Sequence, residues 1–353
     1  MFSAVEIAWF SAIPAVIAAL VVWMTTGQTP TVAKSTGSDE DSPALMQGGL
    51  AGRFGLAIVI ATAAAMLSIQ AQDHHDVLVS NGSADDSAEA SSLWIQAVAK
   101  AATDFAKPKV AHHWTLIIAI GGLVAGKFVA SGAASFLRLV VAVAVCAAVV
   151  LRLLWTSVYL RSEWSTTEQV AWIGGVSLLS GWAWWMAVKR INDSNQTGEG
   201  DLATRDSSAY QRLLLFGAAT SLMAAALIFT GSLRYGVIAA IVASAAGGSW
   251  IAGWRVRNSR IAAGWCGPMI LLMLSLLIAG TAFSELPFVH AMLFAATILF
   301  ASVTPFSTSD RLWKKFGWIL IGILPAVVAA AWAFTIFADT FNNAPVNPYD
   351  AYK

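Results

Sequence analysis

Ten apolar runs divide this chain, each about 17–23 residues long, the length a helix needs to cross a hydrocarbon core. They lie near Ala4–Met24, Leu50–Ile69, Ala111–Ser131, Leu137–Leu160, Val170–Val188, Leu213–Gly231, Gly236–Trp254, Ile261–Phe283, Leu286–Val303 and Phe316–Phe337. Lipid offers no hydrogen bonds to a backbone, so a segment immersed in it must satisfy its own polar groups, and runs of this length do so as helices. Composition points the same way: 58% of the 353 residues are hydrophobic and 12% charged, against about 25% charged in a soluble domain. The expected fold class is all-α: a polytopic integral membrane helical bundle of about ten transmembrane helices. It forms a single membrane domain over residues 1–353, with one extracytoplasmic amphipathic helix. The third and seventh runs are the marginal ones. Lys127 interrupts the third, and the seventh is built largely of Ala, Gly and Ser.

The distribution of charge sets an orientation. If alternate loops face the cytoplasm, starting after the first span, they hold Lys34, Arg53, Lys127, Arg138, Lys189, Arg190, Arg205, Arg212, Arg255, Arg257, Arg260, Arg311, Lys314 and Lys315. That is 14 of the 21 basic residues. The other side holds Lys100, Lys107, Lys109, Arg161, Arg234 and Lys353. Basic residues favour the cytoplasmic side of short loops, and losing one span would invert every later loop. The expectation is a protein integral to the cell (inner) membrane with both termini extracytoplasmic. The first run follows no basic residue and is too long for a signal-peptide core, so it is expected to remain as a helix. No dense basic patch suggests nucleic acid as a partner. The expected partners are the lipid bilayer and other membrane or periplasmic proteins.

Three loops stand out. Residues 26–49 and 191–209 are Ser/Thr/Gly/Asp-rich and read as flexible cytoplasmic linkers. Residues 73–110 form the largest extracytoplasmic segment. Within it Leu93, Trp94, Ala97, Val98, Ala101, Ala102 and Phe105 recur at three- and four-residue spacing, which predicts an interfacial helix over 92–106.

The only residues that hint at chemistry border that segment. His74 and His75 stand at its start and His112 and His113 at its end; the fifth histidine, His290, falls on the same side. Imidazoles with the carboxylates of Asp73 and Asp76 suit Zn or Cu, and two imidazoles from separate helices suit haem iron, so all five histidines are candidate metal ligands. Adjacent histidines on a helix diverge, so at most one of each pair can reach a given metal. Arg152 is the one ionisable residue well inside a span, where a charge implies function or a buried partner; Glu6 and Glu285 are candidate partners on the same side. The expected outcome is instead that its long side chain reaches out to the nearby outer surface. No Asp or Glu lies mid-span, which argues against ion-coupled transport. Cys146 and Cys266 fall in separate runs and form no metal motif.

Packing signals are structural. Ala239, Ala243 and Gly247, with Ala240, Ser244 and Gly248 beside them, suggest that the seventh span is central, and Gly122 and Gly126 mark a close crossing in the third. Pro14, Pro268 and Pro325 are expected to kink their helices. No nucleotide loop, metalloprotease motif or catalytic triad supports an enzyme class. The leading expectation is a non-enzymatic membrane subunit or scaffold. A His-based metal or haem site on its outer face is an optional addition to it, against histidines that simply sit in the polar interface. A transporter of an uncharged or lipid-like solute is the alternative, and a haem-containing redox enzyme a third.

Overall fold

The computed structural model describes residues 4–26, 53–81, 87–108, 110–131, 133–155, 157, 162–196, 207–255, 263–304 and 312–342. Among them there is no strand. The helices are α1 (Ala4–Thr26), α2 (Arg53–Asn81), α3 (Ser87–Ala106), α4 (Ala111–Val129), α5 (Ser135–Leu154) and α6 (Thr166–Gln196). They continue with α7 (Ser207–Phe229), α8 (Leu233–Arg255), α9 (Cys266–Phe283), α10 (Phe288–Val303) and α11 (Leu312–Asn342). Seven of these described helices (α2, α4, α5, α7, α8, α9 and α11) are long and apolar enough to cross a membrane. α1 and α10 contribute shorter apolar stretches, Ala12–Met24 and Phe288–Val303. In α6 the Trp, Gly and Ser residues dilute the apolar character. The all-helical, apolar build fits a multi-pass membrane protein, with seven rather than ten segments meeting both criteria.

Several sequence expectations need correction. Residues 73–81 are expected from the sequence to be extracytoplasmic loop, yet α2 continues to Asn81. The sequence has no Pro or Gly between Gly55 and Gly82, so nothing in the Gln-Ala-Gln-Asp-His-His stretch stops the helix. Residues 191–196 belong to α6 and residues 207–209 to α7 rather than to a linker. Linker residues 197–206 and 27–49 lie outside the described residues. Pro268 stands in the first turn of α9, after a 3₁₀ turn at Ala263–Trp265, where a missing N–H costs nothing. Pro14 and Pro325 do lie inside α1 and α11.

The centre of the bundle is α9, whereas the small-residue stripe pointed to α8. Every residue from Cys266 to Gly280 is buried, and α9 packs against α2, α4, α5, α6, α7, α8 and α10. The run Met-Ile-Leu-Leu-Met-Leu-Ser-Leu-Leu is apolar all round, as a helix enclosed on every side must be. The hydrophobic effect does not drive helices together inside lipid, so close backbone approach has to do so. Gly122 faces the Pro268 backbone and Gly126 the Gly264 carbonyl, so α4 and α9 run antiparallel at near-contact. Gly248 sits against Ala15 at the crossing of α1 and α8, and Gly181 against Val143 at that of α5 and α6.

Two ends with different chemistry result. At one, Arg212 of α7 is buried and donates to the carbonyls of Ala301, Ser302 (3.1 Å) and Thr304 (2.6 Å). These are the last carbonyls of α10, at the negative end of its dipole, so one cation satisfies the acceptors that a helix terminus leaves open. Beside it the Tyr210 hydroxyl donates to the Gly253 carbonyl, joining the start of α7 to the end of α8. Lys189 lies 5.3 Å from the Trp185 ring at the end of α6. The start of α6 is closed by a capping box: the Ser165 N–H and hydroxyl each donate to the Glu168 carboxylate at 2.8 Å. Those bonds hold the Glu168 carboxyl below the usual carboxylate range. A depressed folded-state value means that this cap acts fully above the ordinary range and is lost as pH falls through the depressed one.

Candidate functional site: the histidine-bearing end

The opposite end of the bundle gathers the last turns of α2, the whole of α3 and the first turns of α4 and α8. α3 lies along α2 and touches α4, burying Ala97, Ala101 and Phe105. Trp94 and Val98 border that packed face and are partly exposed, while Ile95 turns outward at 72% exposure.

Each of the four clustered histidines meets a different protein group. His74 Nε2 lies 2.7 Å from Asp104 Oδ2, tying α2 to α3 across thirty residues of sequence. His75 stacks on Trp94 of α3, ring centroids 4.4 Å apart, and its Nδ1 lies 3.8 Å from Asp76. His112 Nε2 is 3.3 Å from an Arg234 nitrogen, and Arg234 also donates to Asp73 at 3.0 Å. His113 is buried, 5.3 Å from the Phe105 ring and 4.3 Å from the ring of His112. The antiparallel run of α4 and α9 brings the start of α10 to this same end, which puts His290 there too. It is buried against Trp332, ring centroids 5.0 Å apart, and contacts none of the other histidines among the described residues.

His74 and His75 therefore diverge as helix geometry requires, whereas the rings of His112 and His113 stay in edge contact. His74, His75, His112 and His113 come together as a packing cluster bridging α2, α3, α4 and α8, while His290 stays apart. Among the described residues no group of three or more His, Cys, Asp or Glu side chains is arranged to hold a metal ion. The His74–Asp104 contact, with side chains 15% and 28% exposed, is expected to couple α2 to α3 by about 1 kcal/mol. A double-mutant cycle of His74→Ala and Asp104→Ala, read by denaturant unfolding in detergent, checks this; additive losses would deny the coupling.

Arg152 has its answer at this end as well. Its guanidinium lies 3.9 Å over the Trp114 ring, a cation–π contact across the α4–α5 hairpin. Among the described residues it meets no carboxylate. Glu285 is exposed in the short connection between α9 and α10, and the Glu6 side chain lies outside the described residues. A shallow cavity of about 370 Å³ adjoins Arg152, lined also by Ala148, Leu151 and Trp155.

A second cavity, of about 350 Å³, opens between α2 and α8. Its floor is Met66, Ile69, Val237 and Ile238; its mouth carries Asp73, Asp76, His112 and Arg234. Sequence reasoning counted Arg234 only as one more basic residue on the side that has few. The signal that could have singled it out was its place on the first turn of a helix, opposite the Asp-His-His-Asp stretch of α2. No protein-family model, curated protein or solved structure matches the chain.

Proposed function

We propose that the protein is a non-enzymatic multi-pass membrane subunit or scaffold that meets its partners through the histidine-bearing end, on the extracytoplasmic side of the inner membrane. The observation that carries this reading is the exposed apolar edge of α3, Ile95 and Val98, on a helix clasped to the bundle by histidine contacts. The positive-inside charge pattern supports the assignment of sides, and ten spans is the count that keeps that pattern intact. His74, Asp104, Arg234 and Asp73 of this end join one helix to the next, which suits a rigid surface.

Metal or haem ligation, the narrower form of the reading, has less support. His74 is committed to Asp104, and His112 lies beside the Arg234 cation, which opposes metal binding. The purified protein is accordingly expected to be colourless and free of stoichiometric zinc, copper and iron. An absorption spectrum with elemental analysis checks that, and a haem band or one metal per chain would reverse it. Transport has less support too, because α9 fills the centre of the bundle and both cavities described above lie at its end.

The partner reading is tested by photo-crosslinkers at Ile95 and Val98, with Leu320 on the lipid-exposed side of α11 as control. One discrete adduct in cells from the α3 positions, and none from Leu320, is the expected result. Lipid adducts alone at all three would remove the reading.

A further inference from the structure

The cavity between α2 and α8 is apolar in its depth and carries charged side chains at its mouth. Ala65, Ile69, Val237 and Ile241 interlock beneath it, so rising numbers on α2 face falling numbers on α8. The inner part is apolar, and one to two turns further out Asp73, Asp76, His112 and Arg234 join the lining beside Gln70, Gln72, Phe105 and Leu233. A ligand filling it must therefore be apolar at one end and carry charge at the other.

The sign of that charge can be read as well. Arg234 spends two of its five N–H donors on His112 and Asp73 among the described residues, and its side chain is 55% exposed, so donors remain for an anion. Within the same mouth Asp76 is 72% exposed and only loosely paired to His75, so an acceptor remains for a cation. Arginine suits a phosphate by its fork geometry, and a carboxylate suits a primary ammonium by charge and hydrogen bonding. A volume of about 350 Å³ holds a headgroup and the first part of a chain.

We infer that this cavity binds one phospholipid of the phosphatidylethanolamine class, its phosphate on Arg234, its ammonium at Asp76 and the start of its acyl chain on Met66, Ile69, Val237 and Ile238. The site is independent of the scaffold reading and survives its failure, because neither Ile95 nor Val98 lines it. Trimethylation of the headgroup nitrogen removes the N–H donors that Asp76 would accept, so phosphatidylcholine is the discriminating control.

The test uses the full chain, purified in detergent, delipidated and titrated with phosphatidylethanolamine, phosphatidylcholine or phosphatidylglycerol. Native mass spectrometry counts bound lipid, and thermal unfolding gives an independent readout. One retained phosphatidylethanolamine, bound about tenfold more tightly than phosphatidylcholine, is the expected result, corresponding to one charge-assisted hydrogen bond. Asp76→Asn at this exposed position should erase that preference without altering the unfolding temperature of lipid-free protein. Ile69→Trp should block retention by filling the floor, and Arg234→Gln should weaken phosphatidylethanolamine and phosphatidylglycerol alike. Equal retention of the ethanolamine and choline lipids, or a preference that persists in Asp76→Asn, would overturn the proposal. So would displacement by soluble phosphoethanolamine at equal concentration, since the apolar floor would then contribute nothing.

Discussion

Gly122→Ala should destabilise the bundle by about 2–3 kcal/mol, whereas Gly121→Ala, one residue away, should be neutral or slightly stabilising. A Cβ at Gly122 would come within 2.8 Å of the Pro268 Cα and 2.9 Å of its nitrogen. Both are backbone atoms, so no side chain can swing aside, and α4 would have to withdraw from α9. Because α9 touches most of the other helices, that separation is felt throughout the core. A Cβ at Gly121 meets nothing within 4 Å, and replacing glycine by alanine in a helix interior recovers roughly 0.5–1 kcal/mol of propensity. Unfolding of the two variants side by side in one detergent removes the uncertainty of the micelle. Equal effects would mean that α4 and α9 do not cross at this point.

The second large effect is expected at Arg212. Replacing it with Met keeps most of the volume but leaves the carbonyls of Ala301, Ser302 and Thr304 without their cation. Hydrogen bonds to a charged group are worth roughly 1.5–3 kcal/mol in proteins generally. Single interhelical bonds in membrane proteins average nearer about 0.6 kcal/mol, because the unfolded chain finds other partners in the membrane. Here three acceptors depend on one guanidinium at a buried helix end, so about 3 kcal/mol is the expected loss. Arg212→Lys should recover part of it, since an ammonium restores the charge at the dipole but not the fork. A loss below about 0.5 kcal/mol in Arg212→Met would show that other groups satisfy the end of α10.

These two positions also mark how far the sequence was legible. Gly122 and Gly126 announced a close crossing by their spacing alone, and the structure supplies the partners, Pro268 and Gly264. Arg212 read as one more cytoplasmic charge, because its meaning depends on the end of α10 lying beside it, ninety residues away in sequence. The location of each apolar run was legible, since hydropathy is a property of single segments. Where helices stop was not: α2 runs on through Gln70–Asn81 because polar residues do not end a helix unless a breaker stands among them. The central place of α9 was open to inference from its all-round apolarity, but the small residues of α8 drew attention instead. Small residues report close approach of two helices, whereas enclosure is reported by the absence of any polar face.

For the site, adjacency predicted that each histidine pair would diverge; the contacts of His74 with Asp104 and His75 with Trp94 follow that rule, whereas His112 and His113 keep their rings in contact. Those partners were not legible, because both lie on α3, whose docking against α2 is tertiary. Arg152 was expected to seek Glu6 or Glu285 or to reach the membrane surface. The Trp114 face that it covers offers a cation a stabilising contact without the cost of burying a carboxylate.

The account rests on the two ends of the bundle facing opposite sides of a membrane, and cysteine labelling reads that directly. Both native cysteines are buried, so single added thiols report cleanly. Ala102→Cys on α3 and Asp193→Cys near the end of α6 are exposed positions at the two ends. In intact cells a membrane-impermeant maleimide should label the Ala102 site and reach the Asp193 site only after permeabilisation. Labelling of both before permeabilisation, or of neither, would contradict the threading on which the proposed outer face depends.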